Sequence, residues 1–276
     1  MNAKIEDVQN FWENNPLFTG ESQFEANSRA FFEEHRKVYL EDVFAGKFED
    51  NKFIPNLENK VCLDLGCGVG FWTVEIQKRR KTGEFFSADL TKAAIDATKK
   101  RLDFYDLHSH LSQQNAEKLN FETACFDFVN CQGVIHHTVN PNKAIEEIAR
   151  VLKKGGEASI SVYYKNFFLR NWKSFGKIGK LLSKRGAKLE GRGREDIFKE
   201  DNTDEITRLY DGKDNPIGIS YSKRELFDAL TPYFEIERTF LYFFPARSLP
   251  FKIPKFFHRI LAKYFGFMIH ANLIKK

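Results

Sequence analysis

The stretch Val61-Cys-Leu-Asp-Leu-Gly-Cys-Gly-Val-Gly70 decides the fold of this chain. A short apolar run ends in three glycines at alternate positions, and the residues that follow, 71–80, have the apolar spacing of a helix. Glycines between a strand and a helix let a ligand approach the backbone closely, because they have no Cβ atom. No Gly-Lys-Ser/Thr follows them, so the turn is not a phosphate-binding P-loop. The stretch therefore predicts a ligand-binding turn at the carboxyl end of a parallel strand.

Two acidic residues accompany the glycines. Asp64 stands just before them, where a carboxylate suits a cationic ligand and would repel a pyrophosphate. Asp89 lies at the end of the next predicted strand, residues 84–90, where a carboxylate can bind both hydroxyls of a ribose. These positions favour a ligand that has both a positive charge and a ribose.

The pattern D-L-G-C-G-x-G followed by a strand-terminal acid resembles class I S-adenosylmethionine-dependent methyltransferases, and the resemblance covers about residues 55–165. The later DGKDNPIG turn and the helix after it resemble small-molecule methyltransferases of the Methyltransf_11 type. The resemblance implies S-adenosyl-L-methionine as cofactor, with its methionine moiety over the glycine turn, its ribose on Asp89 and its adenine beside Leu90. Asn115 stands where the family often has an acid. The implied cofactor-binding residues are Asp64, Gly66, Cys67, Gly68, Gly70, Asp89, Leu90, Asn115, Ala116 and Gln132.

Two histidines follow the fourth predicted strand, residues 126–135, at the edge where open parallel sheets bind ligands. An imidazole can accept a proton near neutral pH, so His137, with His136 beside it, is the candidate catalytic base. The alternative is that both rings only hydrogen-bond loop backbone or orient acidic neighbours. The N/D-P-P-Y type sequence of adenine and glutamine methylases does not occur here, which disfavours those substrates.

Strand and helix alternate from Val61 to Tyr164, which predicts a parallel sheet covered by helices on both faces. We expect a doubly wound, Rossmann-like α/β fold with a mixed seven-stranded sheet whose last strand is antiparallel. A turn is predicted at 152–156, before the fifth strand. The expected organisation is a helical N-terminal lid over 1–55, a cofactor-binding core over 56–164, a basic insertion or substrate cap over 165–220, and a C-terminal part of the core over 221–276 with a helix and two antiparallel strands.

The net charge of +5 conceals two basic segments. Residues 165–194 contain ten Lys/Arg and one acid, and residues 247–276 contain seven and none. Within a helix predicted over 254–265, Lys255, Arg259 and Lys263 recur every four residues and form one stripe. Such a helix suits peripheral contact with an anionic membrane. The favoured interpretation is that its Phe and Ile side chains pack on the sheet while the cations are solvated.

Composition and the termini limit the class of protein. With 42% hydrophobic residues the chain can bury a core, and it has no apolar run near the roughly 20 residues of a spanning helix. The N-terminus lacks a signal-peptide h-region, and the four cysteines lack the spacing of a metal site. We therefore expect a cytoplasmic enzyme, at most peripheral to a membrane, that holds no metal.

The expected acceptor is a small molecule, namely a sugar, a lipid precursor or a secondary metabolite. Methylation of RNA or of a membrane lipid is the alternative that the basic segments favour, although no RNA-binding module accompanies them and nucleic acid is disfavoured as a partner. A non-catalytic S-adenosylmethionine-binding protein is a further alternative.

Overall fold

The computed structural model describes residues 3–187, 192–195 and 197–276, so part of the predicted basic insertion lies outside the described residues. A mixed sheet forms the centre of the fold. Its strands are β1 (Cys62–Leu65), β2 (Phe85–Asp89), β3 (His110–Gln113), β4 (Phe126–Gln132), β5 (Leu152–Tyr164), β6 (Ser220–Tyr221), β7 (Phe234–Tyr242) and β8 (Met268–Lys275).

The sheet has the order β3-β2-β1-β4-β5-β8-β7, with the two-residue β6 beside β5. Strands β1 to β5 run parallel to one another, whereas β8 runs antiparallel to both β5 and β7. The predicted doubly wound fold with an antiparallel last strand is confirmed. The sheet exceeds the expected seven strands because the chain returns from the insertion beside β5 and pairs there through Ser220 and Tyr221.

Helices connect the strands, and local sequence explains where several of them begin. Thr91, Asn140 and Ser222 each accept a hydrogen bond from a backbone N–H of the first helical turn that follows. The α-helices are α1 (Ile5–Asn14), α2 (Arg29–Val38), α3 (Phe71–Arg79), α4 (Lys92–Tyr105), α5 (Pro141–Val151), α6 (Phe167–Arg170), α7 (Trp172–Lys184), α8 (Thr203–Leu209), α9 (Lys223–Leu230) and α10 (Lys255–Phe265).

The core lies on both faces of the central strands. All four residues of β1 are buried, as expected for a parallel strand with helices on each side. Val129 of β4 packs with Ile145 and Ile148 of α5 in one cluster, while Phe128 belongs with Trp72 to another. Burial of each such side chain contributes about 1.5–3 kcal/mol. Packing on two faces therefore fixes the strand ends that surround the site.

Two expectations about strand boundaries were wrong. The predicted turn at 152–156 is part of β5, which begins directly after α5. The register with β4 shifts between Phe126 and Phe128, and Gly155 has a φ of 74°, so the Gly-Gly pair forms an irregularity within the strand rather than a loop before it. Strand β4 ends at Gln132, before a 3₁₀ turn at Ile135–His137 that contains both candidate histidines.

The favoured interpretation of the 254–265 helix was also wrong. Phe256, Phe257 and Tyr264 of α10 are 65%, 57% and 60% exposed, so they do not pack on the sheet. The buried face is instead formed by His258 and Ala262, and the His258 Nε2–H donates to the Phe244 carbonyl over 2.8 Å. Among the described residues, no helix has the length and apolar character needed to cross a membrane.

Candidate functional site

The glycine turn after β1 forms the floor of a cleft. Gly66, Gly68 and Gly70 all have positive φ, the left-handed region that favours glycine. A Cβ atom on Gly66 would lie 2.1 Å from Cγ2 of Val134, so a larger residue would displace the chain that leads to the histidines. The Gly66 N–H donates to the Ala88 carbonyl over 2.7 Å, which ties the turn to β2.

Asp89, the last residue of β2, closes the turn from the other side. Its Oδ2 accepts the Gly68 N–H over 3.0 Å, and its Oδ1 accepts the N–H and hydroxyl of Thr91 over 3.0 and 2.9 Å. Burial raises the pKa of this carboxyl, and the backbone hydrogen bonds from Thr91 and Gly68 oppose that rise. Each carboxylate oxygen can accept about two hydrogen bonds, so Oδ2 retains capacity for a ligand hydroxyl.

Asp64 lies behind the turn and not on the cleft wall. Its oxygens accept the Thr73 hydroxyl over 2.6 Å and the Asn130 amide over 2.8 Å. Burial raises its pKa to about 6. These contacts connect β1, α3 and β4 beneath the glycines, which is a supporting arrangement for the turn.

The cleft brings together most of the sequence-predicted cofactor residues. Cys67 and Gly70, like Asp64, lie outside its wall, and a Cβ atom on Gly70 would meet Thr98 at 3.2 Å. The N-terminal segment forms the roof with Val8, Trp12 and Leu17. The predicted residues that do line the cleft are Gly66, Gly68, Asp89, Leu90, Asn115, Ala116, Gln132 and His137.

Helix α1 is attached to the start of α4 by a residue that the sequence analysis did not single out. Glu13 accepts the backbone N–H groups of Lys92 and Ala93, each over 2.9 Å. These are among the free N–H groups at a helix N-terminus, where a carboxylate is stabilised by both hydrogen bonding and the helix dipole. Farther along the segment, the Arg192 side chain donates to the Pro16 carbonyl over 2.6 Å.

Gln132, at the end of β4, separates the cleft from a second cavity. Its Nε2 donates to the Asn130 side chain and to the Ser159 carbonyl and hydroxyl, at 2.9–3.0 Å. Its Oε1 is buried, and no described residue donates to it. A buried carbonyl oxygen without a donor is costly, so this oxygen suits a donor group on a ligand.

The second cavity adjoins the cleft and has charged and aromatic walls. Ion pairs cross it: Arg194 contacts Glu21 at 2.7 Å, and Arg247 contacts Asp42 at 2.9 Å and Glu21 at 3.3 Å. The residues that line both cavities are Trp12, Leu17, Gln132, Gly133 and His137. The charged residues and tyrosines of the second are Glu21, Asp42, Arg192, Arg194, Asp211, Arg247, Tyr39, Tyr163, Tyr210 and Tyr242.

His137 stands where the two cavities meet. Its Nδ1 lies 2.7 Å from the Ile217 carbonyl, which can only accept, so Nδ1 holds the proton and Nε2 has the lone pair in the neutral ring. Nε2 faces Asp211 Oδ2 at 3.3 Å, and the same oxygen accepts the Tyr163 hydroxyl over 2.6 Å. The Trp12 ring contacts the imidazole edge at 5.1 Å between centroids. The tautomer and the orientation of His137 are therefore both fixed.

His136 lies only in the second cavity. Its ring contacts that of Tyr163 in a tilted arrangement, with 3.9 Å between the centroids, and the residue is 1% exposed. No described residue is within hydrogen-bonding distance of either ring nitrogen, and burial holds its pKa well below the usual value. His136 is therefore neutral at physiological pH.

Comparison with known proteins identifies the domain that contains this cleft. Residues 63–160 match the methyltransferase domain family. The chain is 28% identical over 113 residues to the ubiquinone biosynthesis O-methyltransferase of Coxiella burnetii, covering 40% of this chain and 47% of that protein. It is 33% identical over 108 residues to the ubiquinone/menaquinone biosynthesis C-methyltransferase UbiE of Hydrogenovibrio crunogenus. That match covers 38% of this chain and 42% of that protein. The matches thus span less than half the length of these curated relatives.

A solved structure shows the same fold over most of the chain. A SAM-dependent methyltransferase from Methanosarcina mazei superposes with a TM-score of 0.55 at 18% identity, covering 82% of this chain and 95% of that one. S-Adenosyl-L-methionine is the cofactor of that class. Residues 63–160 therefore form a methyltransferase domain, and the chain shares the fold of the Methanosarcina mazei protein.

Proposed function

We propose that this chain transfers a methyl group from S-adenosyl-L-methionine to a small-molecule acceptor. The observation that carries the proposal is a cleft at the carboxyl ends of β1, β2 and β4 that shares His137 and part of its wall with a second cavity. One cavity suits the cofactor and the other the acceptor. The names of the two curated relatives, both in quinone biosynthesis, support a small-molecule acceptor.

The residues of the cleft fit the proposed cofactor. The glycine turn leaves the backbone open to a ligand, and Asp89 Oδ2 has room to accept a ribose hydroxyl. Gln132 Oε1 offers a buried acceptor to an ammonium group or another donor. Asn115 and Ala116 line the same cleft and would contact the adenine. We assign Asp64 an indirect part, because it supports the turn from behind.

The bound cofactor would supply an electrophilic methyl group, and the chain would align the acceptor with it and remove a proton where the acceptor has one to lose. His137 is placed for that removal, since Nε2 has the lone pair and lies at the junction of the cavities. The proton would pass from the acceptor to Nε2, and the Asp211 carboxylate beside it would stabilise the resulting imidazolium. His136 would contact the acceptor through its ring nitrogens.

Calorimetric titration and methyl transfer test the two halves of the proposal separately. S-Adenosylmethionine and S-adenosylhomocysteine should each bind with one-to-one stoichiometry. Label from methyl-³H cofactor should then pass to a member of a panel of sugars, phenols and amines. Failure of both cofactor forms to bind would refute the proposal, and binding without transfer to any acceptor would favour the non-catalytic alternative.

One observation favours a membrane-held lipid as a second candidate for the acceptor. The exposed aromatic side chains of residues 254–265 support peripheral contact with a membrane, and the chain just before them lines a cavity that adjoins the second cavity. Label that passes from methyl-³H cofactor into the chloroform-soluble fraction of a membrane extract, and not into the water-soluble fraction, would distinguish this acceptor class.

A further inference from the structure

Two basic helices that are distant in the sequence expose apolar side chains on neighbouring parts of the surface. In α7, Ile178 and Leu181 are 51% and 48% exposed, and in α10 the aromatic residues described above are more exposed still. The exposed side chains that form this α7–α10 surface are Ile178, Leu181, Phe251, Phe256, Phe257, Ile260 and Tyr264.

Helix α6 connects the two helices. The Phe168 ring lies 5.4 Å from that of Phe175 in α7 and 5.1 Å from that of Phe265 in α10. Phe167 contacts the same two rings at 5.6 and 6.1 Å. These aromatic contacts connect both helices to α6, so α7 and α10 flank the same short helix.

The charged side chains of α7 and α10 are all positive. Neither α7 nor α10 contains an acidic residue, and together they contain seven Lys/Arg, namely Lys173, Lys177, Lys180, Lys184, Lys255, Arg259 and Lys263. All seven are exposed, and two of them, Lys180 and Lys255, form ion pairs with Asp201 and Glu41 at 2.7 Å. Exposed aromatic and aliphatic side chains interspersed with cations match the chemistry of an anionic bilayer surface, where the rings enter the interface and the cations meet lipid phosphates.

The α7–α10 surface is also close in sequence to the wall of a cavity that adjoins the second cavity. The second cavity shares Glu21, Asp42 and Arg247 with a further cavity, whose wall includes Gly186 and Pro250. Gly186 comes two residues after the end of α7, and Pro250 directly precedes the exposed Phe251. The segments that adjoin the two helices in sequence therefore contribute to the wall of this further cavity.

We propose that the α7–α10 surface docks on an anionic lipid bilayer and turns the opening of the second cavity toward the lipid head groups. Docking needs no methyl transfer, whereas the delivery of a lipid acceptor to His137 rests on the proposed function. A head group would meet the charged residues that the two cavities share, Glu21, Asp42 and Arg247, and the apolar part of such an acceptor would remain among the exposed aromatic side chains.

Co-sedimentation with vesicles tests the docking. The whole chain should pellet with vesicles of phosphatidylglycerol and phosphatidylcholine, bind pure phosphatidylcholine weakly, and dissociate at high salt. The double variant Phe256→Ser/Phe257→Ser should lower the partition coefficient about tenfold or more. Phe24→Ser, which removes an exposed phenylalanine of the N-terminal segment, is the matched control and should bind as wild type.

A second pair of variants tests the cations. Lys177→Glu/Lys263→Glu should lower vesicle binding more than tenfold. The control Lys99→Glu/Lys100→Glu, at two exposed positions of α4, makes the same change in net charge and should leave vesicle binding unaltered. If both pairs of substitutions lowered vesicle binding equally, net charge would explain the effect, and the proposal of a specific docking surface would be wrong. Three other outcomes would overturn the membrane proposal. These are failure of wild type to bind anionic vesicles, binding of wild type to RNA but not to vesicles, and a dimer in sedimentation velocity that Phe256→Ser dissociates. S-Adenosylhomocysteine titrations on the same variants report on the proposed function independently.

Discussion

At the scale of single residues, the division of hydrogen bonds on Asp89 predicts how its loss would affect binding. Oδ1 is committed to Thr91, whereas Oδ2 has only the Gly68 N–H. We expect Asp89→Ala to weaken S-adenosylmethionine binding by about 1–3 kcal/mol, the scale of lost charge-assisted hydrogen bonds. Calorimetry gives the affinity, and Asp89→Asn, which keeps an acceptor oxygen for Thr91, separates loss of charge from collapse of the turn. Equal affinity in all three proteins would reject the ribose role.

The fixed tautomer of His137 leads to a kinetic prediction. We expect His137→Ala to lower kcat by about 10²–10⁴ and leave cofactor affinity nearly unchanged, because the imidazole removes a proton only during the reaction. Asp211→Asn should reduce kcat by less than His137→Ala does, since Asp211 acts through His137. A His137→Ala variant within a few-fold of wild type would leave alignment as the source of rate.

At the scale of secondary-structure elements, the attachment of α1 to α4 depends on Glu13. Replacing a capping side chain by alanine costs about 0.5–2 kcal/mol, and here the cap also holds the roof of the cleft. We expect Glu13→Ala to increase backbone hydrogen exchange over residues 5–14 and to weaken S-adenosylhomocysteine binding. Glu33→Ala removes a glutamate from an exposed i,i+4 pair with Arg29 and is the control. Unchanged exchange in α1 would show that Glu13 does not secure the roof.

At the scale of the whole molecule, Asp64 makes folding stability depend on pH. Its pKa in the folded protein is about 6, above the ordinary 3.8, so the folded state binds the proton more tightly than the unfolded state. The stability from this group is present below about pH 4 and is lost as pH rises through 6, with a slope of at most about 1.4 kcal/mol per pH unit. We expect wild type to lose unfolding free energy relative to Asp64→Asn as the pH rises from 4 to 6.5. Urea denaturation of both proteins at each pH measures this difference. A constant difference across this range would contradict the prediction.

The central fold and the cofactor cleft were predictable because their signals are local. The glycine turn, the acid that ends β2 and the alternation of strands and helices each lie within a short stretch of sequence. The comparisons confirm a methyltransferase domain over residues 63–160 and the fold. Contacts between distant residues gave no such signal: Glu13 meets Lys92 from 79 residues away, and His137 meets Ile217 from 80. The roles of individual site residues stay predictions. The exposed face of α10 was mispredicted because spacing alone does not show which stripe of a helix faces the sheet.

The two cavities differ in what covers them. Val8 and Pro16 lie over the cofactor cleft alone, whereas Gly186 and Pro250 line the further cavity that adjoins the second one. Under the proposed assignment, cofactor and acceptor leave by different parts of the surface. A spent cofactor can then be exchanged while the acceptor stays seated, which permits processive modification of an acceptor with more than one reactive atom. The number of groups added would depend on how many of those atoms can reach His137, and not on how quickly the acceptor dissociates.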